Sequence, residues 1–146
     1  FTTGCSEIPI TVTQGFNAAT IPLCWKTQVV AGNPGSRITF PNNGTLPTAY
    51  PFEGSNMVRY DSYYGPAGTE ERLESAPMSS IGTTSVDVEF YFNRDSGYAG
   101  AQYLTEGVQV QYSLDGTSWT DTGDFIQRYS STVAGWEKQT VTIPRI

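Results

Sequence analysis

The chain has 146 residues with 15% charged side chains, a net charge of −6 and no histidine. An acidic chain lacks the basic footprint that nucleic acid or an anionic membrane surface requires. The missing imidazole removes His-based triads, His-ligated zinc and histidine general bases together. Aromatic residues reach 13%, nine of them Tyr, among many Thr, Ser, Gly and Pro. That composition is expected of an all-β extracellular domain. No run of 18 apolar residues offers a membrane span, so no membrane insertion is expected.

In chain order, the sequence opens "FTTGC", without Met, and reads as a piece of a longer secreted protein. Cys5 and Cys24 are its only cysteines. In a secreted chain the default is one disulfide between them, against the alternative of two buried thiols. Closing a loop of about 20 residues contributes roughly 3 kcal/mol in the chain-entropy model. Strands are expected at Ile8–Thr13, Trp25–Val30, Arg37–Phe40, Asn56–Tyr63 and Arg72–Ser75 in the first half. Ser85–Asn93, Gly107–Ser113, Ser118–Thr122, Phe125–Tyr129 and Lys138–Ile143 follow in the second. The breakers between them include "PNNGTLP", "YGPAGTEE" and "RDSGYAGA", and no helical period competes.

The alternation assigns faces. Val86, Val88, Phe90 and Phe92 share one side of their strand, and Asp87, Glu89 and Tyr91 share the other. Val108, Val110 and Tyr112 oppose Gln109 and Gln111 in the same way. One apolar and one polar face is the antiparallel pattern. Nine or ten such strands predict a single domain over 1–146, an all-β two-sheet antiparallel β-sandwich of jelly-roll type. The stretch "YSLDGTSW" admits three readings: an Asp-box, a calcium loop, or a hairpin. The spacing departs from both motifs, and Asp115-Gly116 supplies the positive φ of a type I′ turn, so a hairpin is expected.

The ordered segments "GFNAATIPLCW", "GSNMVRYDS", "RLESAPM", "SVDVEFYF", "VQVQYSLDGTSW" and "GWEKQTVTIP" resemble MAM-like jelly-roll modules. The resemblance is closest to the cleaved-adhesin and choice-of-anchor J type domains of secreted bacterial multidomain proteins. Phe16, Pro22 and Trp25 match the opening pattern, Gly54, Ser55 and Asp61 a short strand, and Leu73, Ser75 and Pro77 the next element. Asn17 stands where an acid commonly follows the Phe, which weakens any cation site at that edge. The resemblance implies a secreted, non-catalytic binding or adhesion module, monomeric when isolated, and raises the expectation of a structural calcium. Asp61 and Asp95 are the expected calcium ligands, chosen from an oxygen inventory that also holds Asp87, Asp121, Asp124, Glu70 and Glu71.

Two sets of residues are candidate ligand contacts. Tyr63, Tyr64, Tyr98 and Tyr103 lie on Gly-rich loops, where amphipathic rings give contact area, or else fold back on their own strands. Arg59, Glu89, Tyr91, Gln109 and Gln111 would line one polar face if their strands are neighbours, with an Arg59–Glu89 pair; the bland alternative is a solvated face. Trp25, Trp119 and Trp136 are expected to seal the core rather than stack on sugars. Without a nucleophile motif or paired acids at a strand end, no enzyme activity is expected. Carbohydrate or a glycosylated surface is the expected partner. The alternative is a structural or adhesive spacer that makes protein contacts only.

Overall fold

The computed structural model describes residues 4–32, 35, 37–97, 100 and 103–144. Among them are ten strands and one short 3-10 turn, so the chain is all-β. They divide into two compact units, Phe1–Ser80 and Ile81–Ile146.

In the first unit, β1 (Ile8–Pro9) pairs in parallel with β6 (Met78–Ser79). The expected strand to Thr13 stops early because the Val12 N–H donates to the Ile10 carbonyl at 3.1 Å, closing a three-residue turn. β2 (Lys26–Ala31) runs antiparallel to β5 (Glu70–Glu74), and β3 (Ile38–Thr39) to β4 (Arg59–Tyr60). Cys5 and Cys24 are disulfide-bonded with Cα atoms 5.7 Å apart. The Phe16 ring meets Trp25 edge-on at 5.3 Å and stacks on Phe40 at 5.9 Å. Ile38, Phe40, Met57 and Ala76 are buried. Trp25 therefore has the packing role expected of it.

β5 begins two residues before its expected start. Its sequence, Glu-Glu-Arg-Leu-Glu, has one apolar residue, so hydrophobic alternation is silent there. Cross-strand pairing replaces it. Lys26 Nζ lies 2.9 Å from Glu74 Oε2, and Arg72 donates to Gln28 at 3.3 Å. Glu74 is thereby buried with its charge neutralised.

In the second unit, β7 (Ser85–Arg94) and β10 (Gly135–Pro144) form a ten-residue antiparallel ladder. Val86, Val88, Phe90 and Phe92 are half-buried while Asp87, Glu89 and Tyr91 are exposed, as the alternation requires. Val88 faces Val141, which is buried, and Val86 faces Ile143. β8 (Gly107–Tyr112) pairs with β9 (Thr120–Gln127), one strand where two were expected. The register shifts between Val108 and Val110, and the expected break at Gly123 is this bulge. Gly123 has φ +65° there, and a β-carbon on it would stand 2.8 Å from Val141 Cγ1, so only glycine fits.

The β8–β9 hairpin exists, but its reversal is not a two-residue type I′ turn. It is a seven-residue loop, Ser113–Trp119. Asp115 Oδ1 accepts the N–H groups of Thr117 and Ser118, both at 2.7 Å, and Oδ2 accepts the Ser118 hydroxyl at 2.9 Å. These bonds, that to the Ser118 N–H foremost, hold the carboxyl well below its ordinary 3.8. The side chain, not the Asp-Gly backbone alone, shapes the loop.

Candidate functional site

The chain leaves β4 at Tyr60 and enters a one-turn 3-10 helix, Ser62–Tyr64, where the sequence pattern had predicted strand to Tyr63. The Gly65 N–H donates to the Ser62 carbonyl at 3.1 Å. A second turn follows at once: the Thr69 N–H donates to the Pro66 carbonyl, with Gly68 at φ +81°. Positive φ at the third position is what a type II turn needs, and glycine supplies it. Two consecutive turns bring Tyr63 and Tyr64 to the surface, 76% and 68% exposed, with their rings edge to face at 4.9 Å.

Arg37, immediately before β3, anchors this turn from both backbone and side chain. Its carbonyl accepts the Asp61 N–H at 3.1 Å, and its guanidinium donates to the Tyr64 carbonyl at 3.1 Å. Glu71 of β5 fixes Arg37 in turn. One carboxylate oxygen accepts the Arg37 and Ile38 N–H groups at 2.6 and 2.9 Å. Tyr60 closes the other side, its hydroxyl 3.1 Å from Thr69 Oγ1. The result is an exposed aromatic pair on a backbone held at several points.

The other candidates take different places. Tyr103 is half-buried with the Arg128 guanidinium 5.7 Å from its ring centre, so it folds back on its own unit. Tyr98 lies outside the described residues. The expected polar face is not assembled by strand pairing: β4 pairs with β3, β7 with β10, and β8 with β9. Glu89 takes Lys138 at 2.7 Å rather than Arg59, which lies 4.0 Å from Asp61. That contact raises the Lys138 pKa. Beside the pair, Tyr91 is exposed, and Thr142 donates to Asp87 at 2.6 Å, so this face is already bonded within itself. Gln109 is consumed by the bulge: its amide donates to the carbonyls of Thr122 at 2.9 Å and Val110 at 3.1 Å. Gln111 donates to Asp121 at 2.6 Å.

Each of the two expected calcium ligands already faces an arginine. Asp95 is buried, with Oδ1 accepting the Gly97 N–H at 2.6 Å and Oδ2 facing Arg128 at 3.8 Å. A second positive charge there would meet the guanidinium. Asp61 faces Arg59. Among the described residues no group of three or more Cys, Asp and Glu side chains is placed to hold a metal ion.

The sequence did not reveal Arg37 and Glu71 as supports of the tyrosine turn. The Glu71 contact spans 34 residues and joins two strands that are not ladder neighbours, so no local pattern marks it.

Taken together, the fold defines the class: an all-β chain of mostly antiparallel strand pairs with one disulfide. No family model, curated protein or solved structure matches it. No helix among the described residues is long and apolar enough to cross a membrane.

Proposed function

We propose that the chain is a secreted, non-catalytic binding module of jelly-roll sandwich type that recognises carbohydrate through Tyr63 and Tyr64. The observation that carries this reading is the exposure of two adjacent rings on a multiply anchored turn. Tyr63 and Tyr64 differ from a singly exposed ring such as Phe125 in touching one another as a patch, and a tyrosine face packs on the apolar side of a pyranose while its hydroxyl bonds to the sugar. Anchoring lowers the ordering cost of binding, because the turn is already in place before the ligand arrives. The disulfide suits an oxidising compartment. The reading assigns no role to a cation and no chemical step to any residue.

A glycan array tests it, run with the wild-type chain and with Tyr63→Ala and Tyr64→Ala. Recognition of at least one glycan, lost in both variants while their melting temperatures hold, is the expected result. A blank array, or binding that both variants retain, overturns the reading and leaves a spacer that makes protein contacts only.

A further inference from the structure

Seven of the eight Lys and Arg residues fall among the described positions, and six of them stand within 4.0 Å of an acid. Lys26 and Arg72 share Glu74, Arg59 has Asp61, and Arg94 has Glu137. Arg128 has Glu106 and Asp95, and Lys138 has Glu89. The seventh is Arg37. Its guanidinium has no acid within ion-pair distance among the described residues; its one hydrogen bond runs from an NH2 group to the Tyr64 carbonyl. In a chain of net charge −6, the one described cation without a carboxylate is tied to the exposed tyrosine pair.

We infer that Arg37 is a specificity residue, and that the tyrosine turn takes a sugar bearing a carboxylate, of the uronic acid class. The inference rests on the carbohydrate reading above and narrows it. A guanidinium carries five N–H donors in a planar fork that matches a carboxylate in two parallel bonds. Arg37 spends one Nη2 N–H on Tyr64 and its Nε is buried without a partner, which leaves Nη1 and the second Nη2 N–H, the end-on pair of the fork, for a ligand. The bond to the Tyr64 carbonyl fixes the charge against the backbone of a residue that carries one of the two rings. A ring stacked on Tyr63 or Tyr64 would thus carry its carboxylate within reach of Arg37. The protein's own acids are no substitute. Glu71 is turned onto the Arg37 and Ile38 backbone N–H groups, and Asp61 onto Arg59. Acidic sugar would meet an overall negative field, so selectivity must come from this short-range contact rather than from long-range attraction.

The test compares hexagalacturonate with its carboxyl-reduced counterpart, a galactose hexamer, by calorimetry in low and moderate salt. Wild-type chain is expected to bind the uronate at least tenfold more tightly at both salt concentrations, because a contact well inside the screening length persists while the long-range repulsion is screened. Arg37→Gln should bring the ratio close to one. Arg37→Lys should leave it in between, since charge remains and the fork is lost. Lys138→Gln makes the same change in net charge elsewhere and should keep the wild-type ratio. Near-ultraviolet circular dichroism of each variant reports whether the tyrosine turn is intact. If both hexamers bind equally, or Arg37→Gln and Arg37→Lys keep the wild-type ratio with that signal unchanged, the inference falls and the carbohydrate reading stands. If neither hexamer binds, and other glycans also fail on the array, both fall. A neutral hexamer favoured over the uronate overturns the inference alone.

Discussion

Glu71 holds Arg37 by its backbone: a single carboxylate oxygen accepts the Arg37 N–H at 2.6 Å and its neighbour's at 2.9 Å, across 34 residues of sequence. Two N–H groups at the start of β3 thus depend on one side chain from β5. Removing it strands partly buried donors, which costs about 1–3 kcal/mol for such a group. Glu71→Ala is therefore expected to lower stability by that order in urea denaturation, and Glu71→Gln by less, because an amide oxygen still accepts. Equal losses in the two variants would show that the charge, not the acceptor, matters.

The Cys5–Cys24 link closes a loop of 19 residues' separation around Phe16. Alkylation of native, unreduced protein should label no thiol by mass spectrometry. Cys5→Ser with Cys24→Ser should lower stability by roughly 3 kcal/mol, the loop-closure value for that length. A double variant as stable as the wild type would mean that the packing of Phe16 on Trp25 and Phe40 already restricts the loop.

Gly123 and Val141 should be energetically coupled. A β-carbon at Gly123 meets a left-handed backbone and the Val141 methyl group at 2.8 Å. Gly123→Ala should be destabilising on both counts, of which the backbone conformation alone accounts for about 1 kcal/mol. Val141→Ala empties part of the core facing Val88 and should cost roughly 1–3 kcal/mol. In the double variant the smaller residue 141 relieves the contact, so the total should be less than additive by at least about 0.5 kcal/mol. Strict additivity in chemical denaturation would place the two side chains out of contact.

Gln109 and Gln111 were indistinguishable in the sequence as alternating polar residues of one strand. The bulge separates them. Gln109→Ala leaves the Thr122 and Val110 carbonyls without the amide that bridges them and should cost about 1–2 kcal/mol, whereas the exposed Gln111–Asp121 bond should be worth under about 0.5. Thermal melts of Gln109→Ala and Gln111→Ala give the ranking directly, and a larger loss for Gln111→Ala would contradict it.

What the sequence made legible follows from which forces are local. Val86 to Phe92 alternate because one face of their strand is apolar, and the ladder to β10 keeps that face. The same test fails at Glu70–Glu74, where Lys26 and Gln28 on another strand make the pairing favourable. It fails again at Tyr63, the last residue of an expected strand, which sits on a 3-10 turn fixed by Arg37. Tyr63 and Tyr103 look alike as loop tyrosines, yet one is open to solvent and the other lies under Arg128. Only the partner's position tells them apart.

The Asp115 loop gives the expected pH dependence. Its carboxylate accepts the Ser118 and Thr117 N–H groups and the Ser118 hydroxyl, all of which favour the ionised form and depress the pKa from its ordinary 3.8. A folded-state pKa below the unfolded one means that the unfolded chain binds the proton more readily. The stabilisation from Asp115 is therefore fully present above pH 4 and is lost progressively as pH falls below it. Asp115→Asn keeps one oxygen acceptor for the loop N–H groups but has no proton to gain, so its stability should be lower at neutral pH and fall less steeply in acid. Lys138 works in the opposite range. Its raised pKa keeps the Glu89 contact intact up to the ordinary lysine value of 10.5, and the contribution is lost as pH climbs beyond that. Both groups lie at the surface, so moderate salt should shrink the alkaline effect by screening the Lys138–Glu89 contact. It should leave the acid effect largely in place, because that one rests on short hydrogen bonds to fixed backbone. Urea denaturation of the wild type and the two variants Asp115→Asn and Lys138→Gln, at pH 2.5, 7 and 11 and at two salt concentrations, separates the contributions. Parallel acid slopes for wild type and Asp115→Asn would show that the loop opens before Asp115 titrates.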